Sequence, residues 1–176
     1  MMSKDTIRQQ LLAAASDVVA WFDTFGPERW DHAPPGKWTA GQHLEHLIRS
    51  VKPLNKALKA PKVALRLSFG KPNRLVRDLE TIQAKYEKGL AGGFQAVGPF
   101  IPPDTNSADR AQMLADDQAH HRKLDRIISK WSESALDNYL VPHPALGKMM
   151  IREILFFTII HTRHHLRILK EKYENV

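Results

Sequence analysis

The sequence has 176 residues, with 26 Lys and Arg against 19 Asp and Glu (formal net charge +7) and no cysteine. The missing cysteine excludes disulfides, a thiol nucleophile, Cys-ligated zinc and iron–sulfur clusters. No run of about 18 uninterrupted apolar residues predicts a membrane span. The N-terminal MMSKDTIRQQ lacks the compact apolar run and small-residue cleavage site of a signal peptide. A single domain over residues 1–176 is expected, long enough to bury about 70% of its unfolded surface, with a cytoplasmic location.

In chain order, the pattern is helical. Ile7, Leu11, Ala14, Ala15, Val18 and Phe22 recur at helix spacing over residues 4–25, and Gly26-Pro27 stops that helix. Residues 31–37 (DHAPPGK) form a loop stiffened by Pro34 and Pro35. Thr39-Ala40-Gly41-Gln42 is a capping box, in which the Thr hydroxyl and the Gln side chain each satisfy a free amide at a helix start. A second helix therefore begins near Ala40, carrying His43, Leu44, His46, Leu47 and Val51, and Pro53 ends or kinks it. Val63 to Phe69 reads as either a short helix or an extended apolar linker. Val76 to Gly89 reads as a short helix, and Ala91 to Pro103 as a long loop of the kind that forms lids and walls. Ser107 caps a third long helix over 108–134, with the stripe Leu114, Asp117, His121, Leu124, Ile128 and Trp131. Leu136 to Lys148 connects it to a last helix from about Met149 to Tyr173. Four long helices joined by unequal loops predict an all-α fold, a four-helix bundle with crossovers.

The chemistry-bearing surplus is histidine, nine residues in all. His161 and His165 are four apart and share a helix face with Met150, Ile154, Phe157, Thr158 and Ile168, which turns both imidazoles inward. A buried imidazole needs partners for both nitrogens. A shared metal ion is one such partner, and ordinary packing with hydrogen bonds is the other. His43 and His46 sit three apart on the second helix, with His46 the more inward, so either three histidines from two helices leave an open coordination position, or one of the pair faces solvent and the other the core edge. His121 lies on an apolar stripe, where it reads as a satisfied core residue, a support to the site or a fourth ligand. His32 and His143 fall in proline-containing loops and receive no role. Glu45 and Asp117 are candidate partners of the ligating histidines, proton carriers or surface charges. Trp30, Phe94 and Phe100 are candidate pocket walls or core plugs.

Three ordered segments carry a resemblance. Trp38-Thr39-Ala40-Gly41-Gln42-His43-Leu44-Glu45-His46-Leu47, His143-Pro144-Ala145-Leu146-Gly147-Lys148 with Ile151-Arg152-Glu153, and His161-Thr162-Arg163-His164-His165-Leu166 together resemble the signatures of the DinB-like (DinB/YfiT) superfamily. The resemblance spans nearly the whole chain. It implies a four-helix bundle of up-down-down-up connectivity, often dimeric, with nickel or zinc held by His46, His161 and His165. It also implies a metal-dependent thiol S-transferase or hydrolase acting on a small molecule. The chain departs from the family in having Ile168 where Gln is common, and Met149 or Met150 where a Ser or Thr cap precedes the last helix's Glu.

Three neutral imidazoles would leave room for a water or thiolate ligand, and a thiol must come from a cosubstrate because the chain has none. Arg163, Arg167, Lys170 and Lys172 either attract an anionic cosubstrate or form a solvated face that complements the helix C-terminus. Two other functions share the fold. One is a nucleic-acid-binding protein, which would suit the positive charge, but the basic residues are scattered and lack interleaved aromatics. The other is a metal-free structural or regulatory bundle.

Overall fold

Ser3 starts the first helix by accepting the Thr6 amide on its hydroxyl. The computed structural model, which describes residues 1–173, continues from there as α1 (Lys4–Asp23), which ends ahead of Gly26-Pro27. Thr39 and Gln42 form the expected capping box, at 3.1 and 2.9 Å, and open α2 (Ala40–Lys59). Gly41 is needed here, because a Cβ would meet Trp30 and Thr105 at 2.4 Å. Pro53 does not end α2, which runs on to Lys59. Val63 to Phe69 resolves as a helix, α3 (Lys62–Phe69), and the next is α4 (Leu79–Ala91), capped by Asp78.

The long helix expected over 108–134 is divided. Asn106, rather than Ser107, accepts the local amide, and α5 (Arg110–Ile128) stops before Ser132 caps a separate α6 (Glu133–Asn138). Ser129 and Ser132 supply hydroxyls that compete for backbone bonds, and Ser132 uses its own to begin α6. The expected connecting loop is largely a hairpin, in which β1 (Leu140–His143) pairs antiparallel with β2 (Gly147–Met150). Gly147 has φ +70°, a left-handed conformation suited to glycine. His143 Nδ1 accepts the amides of Ala145 and Leu146, so the ring itself caps the turn. The last helix is α7 (Ile151–Tyr173).

Helices α1, α2, α5 and α7 form a four-helix bundle with up-down-down-up connectivity, and the two-stranded hairpin is a minor addition. The bundle interior has two apolar clusters. One gathers Ile7, Leu54, Leu124, Leu155 and Phe157, and the other Val18, Phe22, Trp30, Leu44 and Leu166. On α7 the first cluster ends at Ile160 and the second begins at Leu166, so His161 and His165 fall between them.

A fully buried carboxylate fixes the start of α7. Glu153 accepts from Arg74, from Arg77 through its amide and guanidinium, and from the Met150 amide at 3.0 Å. The last bond is half of a capping box, made with Met150 in place of a Ser or Thr cap. Burial alone would raise the Glu153 pKa, but these donors hold it at about 2. The same bonds tie residues 74–77 to α7.

Candidate metal centre

The capping box sets where α2 begins, and hence which of its residues face α7. His46 Nε2 lies 3.0 Å from His161 Nε2, and His165 Nε2 lies 3.1 Å from the same atom. All three residues are buried, and their nitrogens lie within 4.8 Å of one another.

The surrounding bonds fix where the ring protons reside on two of them. Phe100 O lies 2.7 Å from His46 Nδ1 and can only accept, so His46 carries its proton there and keeps a lone pair on Nε2. The second assignment starts from Trp38 O, which accepts the Tyr173 hydroxyl proton at 2.5 Å. His43 Nε2, 3.3 Å from that hydroxyl, must then donate to it. His43 Nδ1 is left as an acceptor and takes the His165 Nδ1 proton at 2.8 Å. His165 Nε2 therefore also presents a lone pair.

Two lone pairs thus converge on His161 Nε2. A proton on that nitrogen could satisfy one of them and would leave the other without a partner. A cation satisfies all three. For zinc, imidazole nitrogens about 2.0–2.1 Å from the ion stand about 3.3 Å apart in a tetrahedral set, close to the observed 3.0 and 3.1 Å. The donor set fits a divalent metal.

The electrostatics of the cluster point the same way. Burial pushes His161 and His165 well below the usual histidine range, with neighbouring histidines adding to the effect. Burial also lowers His46, against the pull of the Phe100 carbonyl, and lowers His43 to about 4. All four are neutral near pH 7, the form that ligates metal. Aromatic rings hold the imidazoles in place. Phe157 stacks on His161 with centroids 5.1 Å apart, and Trp38 lies 5.0 Å from His46.

The histidines line a cavity of about 930 Å³. Residues 91–103 form part of its wall, as their loop length implied, through Phe94, Val97 and Phe100. Gln42 and Arg49 donate to the carbonyls of Pro103 and Pro99 and fasten that segment to α2.

The sequence profile of the DinB superfamily matches residues 10–169. The chain belongs to the DinB superfamily. No curated protein matches this DinB-superfamily chain. Among solved structures it is similar to YfiT from Bacillus subtilis, with 18% identity and a TM-score of 0.63 over 97% of this chain and 87% of that one. YfiT is described as "a probable metal-dependent hydrolase with an unusual four-helix bundle topology".

The other candidates divide clearly. His43 is neither solvent-facing nor at the core edge; it is buried and holds His165. His121 sits apart from the cavity, its Nδ1 3.0 Å from the Asp117 carbonyl and 3.5 Å from its carboxylate. Glu45 pairs with Arg49 at 2.6 Å, away from the imidazoles. Phe94 and Phe100 are walls, whereas Trp30 is a core residue. Of the C-terminal basic cluster only Lys172 lines the cavity, and Arg167 faces Glu171. Lys37 lines the cavity too.

Tyr173 and His143, without an assigned role in the sequence, both line the cavity. Tyr173 follows Leu166 and Leu169 at spacings of three and four, so its only signal was a place on the apolar stripe.

Proposed function

We propose that this protein is a metal-dependent enzyme acting on a small molecule, with nickel or zinc held by His46, His161 and His165. The observation that carries this reading is the convergence of neutral imidazole nitrogens, two with assigned lone pairs, on one wall of a large cavity. When bound, such an ion lowers the pKa of a coordinated water or thiol and supplies a nucleophile near neutral pH. The reaction class is hydrolysis if the nucleophile is water and S-transfer if it is a thiol, which must be a low-molecular-weight cosubstrate because the chain has no cysteine.

The remaining work falls to the chain. His43, Tyr173 and the Trp38 carbonyl keep the His165 tautomer fixed, and the Phe100 carbonyl does the same for His46. Phe157 and Trp38 hold the ring planes and limit water at the imidazoles. Lys37 and Lys172 place positive charge on the cavity wall, suited to an anionic cosubstrate. Membership of the DinB superfamily and the likeness to YfiT support the reading.

The test is elemental analysis of tag-free protein beside a His46→Ala, His161→Ala double variant. About one nickel or zinc per chain is expected, lost in a variant that keeps its helical circular dichroism. No metal after dialysis against both ions would leave the metal-free structural bundle as the reading. Hydrolysis and thiol-transfer screens on the loaded protein then separate the two reaction classes.

A further inference from the structure

The cavity is much larger than the histidine cluster, and its walls change character along its length. On α7 its lining runs from Ile154 and Phe157, through His161 and His165, to Ile168 and Lys172. At about 1.5 Å per residue, Ile154 and Lys172 stand about 27 Å apart along the helix. Helix α2 runs antiparallel to α7, since His43 meets His165 and His46 meets His161. Its later residues Leu54 and Ala57 therefore lie toward the Ile154 end. Ala57, Phe69 and Leu90 pack against the apolar cluster that holds Leu54, Ile154 and Phe157. The histidines are thus mid-length, with Lys172 toward one end and an apolar arm toward the other.

Several polar groups near the arm are already engaged. Thr158 donates to the Ile154 carbonyl at 2.8 Å, and Ser50 to the His46 carbonyl at 2.8 Å. His143 Nδ1 accepts two turn amides, and the ring packs on Phe157 at 4.2 Å. Water in such an arm finds few partners, whereas a hydrocarbon gains burial.

We propose that the arm binds the apolar portion of the substrate, a medium-chain hydrocarbon group whose reacting end lies at the histidines. From Ile154 to His161 the helix rises about 10 Å, room for roughly eight extended methylenes. The position of the reacting end rests on the metal-centred function; occupation of the arm does not.

The test uses linear 1-alkanols from butanol to octanol, displacing anilinonaphthalene sulfonate from metal-free and zinc-treated protein. Affinity is expected to rise about fourfold per methylene in both forms. Ala57→Phe and Leu90→Trp, two variants at partly exposed wall positions, are each expected to weaken octanol at least tenfold (on the order of two methylenes of burial) without changing metal content. If one variant fails to fold, the other decides. Affinity independent of chain length, or octanol affinity unchanged in a folded variant, overturns the proposal. The two readings fail separately: zinc binding with a flat alkanol series overturns the arm alone, and a steep series in protein that takes no metal overturns the metal centre alone.

Discussion

Replacing His43 with leucine tests whether a residue that is not itself a proposed ligand controls the metal centre. His43 accepts the His165 Nδ1 proton at 2.8 Å, and both residues are buried. Leucine cannot accept it. A buried donor left unpaired costs about 1–3 kcal/mol, and His165 can reduce that cost by moving its proton to Nε2. That move removes one lone pair from the centre. Loss of such an outer partner weakens metal affinity about 10- to 100-fold, equivalent to roughly 1.4–2.7 kcal/mol. Zinc affinity, measured by competition with a chromophoric chelator, is therefore expected to fall within that range in a His43→Leu protein that keeps its circular dichroism spectrum. Tyr173→Phe removes the hydroxyl that fixes His43 while leaving its Nδ1 in place, so its loss should be smaller. Zinc affinity in His43→Leu within about threefold of the unaltered protein, well short of the usual outer-partner effect, would refute the tautomer chain.

Two further predictions concern groups outside the histidine cluster. Glu153→Gln leaves Arg74 and Arg77 without their buried carboxylate and should destabilise the fold by about 3 kcal/mol, read by urea unfolding. The Glu153 pKa is lowered from 4.5 to about 2, so its stabilisation is complete above about pH 4.5 and is lost as pH falls toward 2. It amounts to about 3 kcal/mol, and an acid limb of equal depth in the Glu153→Gln and unaltered proteins would contradict the assignment. Burial lowers His143 from 6.5 to about 4. Its neutral form therefore favours folding above about pH 6.5, and that contribution is lost as pH falls from 6.5 toward 4. His143→Asn keeps an acceptor for the turn amides but cannot titrate, so the difference between the two urea-unfolding curves should change by about 2–3 kcal/mol over this window. A constant difference would show that His143 does not titrate in this way.

The elements that could be read from sequence were those coded locally. Thr39 and Gln42 are three residues apart and form their capping box with each other, so the start of α2 needed no tertiary information. The inward face of α7 followed from the spacing of His161 and His165 among apolar residues. The misreadings arose where local signals competed. Pro53 deprives α2 of one backbone bond, but packing of Leu54 and Leu58 on the core carries the helix past it. The serines at 129 and 132 offered side-chain bonds that split the expected long helix, and no apolar periodicity reports such a choice.

The histidine cluster shows the same boundary between local and tertiary information. Spacing brought His161 and His165 to one face, but their chemistry depends on which nitrogen holds each proton. That choice is made by acceptors far away in sequence: Phe100 O is 54 residues from His46, and Trp38 O is 135 residues from Tyr173. Each terminal acceptor is a backbone carbonyl, present at every residue and invisible in a side-chain pattern. The tautomers therefore follow only once the fold has placed those carbonyls. Because a carbonyl cannot be removed by side-chain substitution, His43 and Tyr173 are where the chain to His165 can be cut.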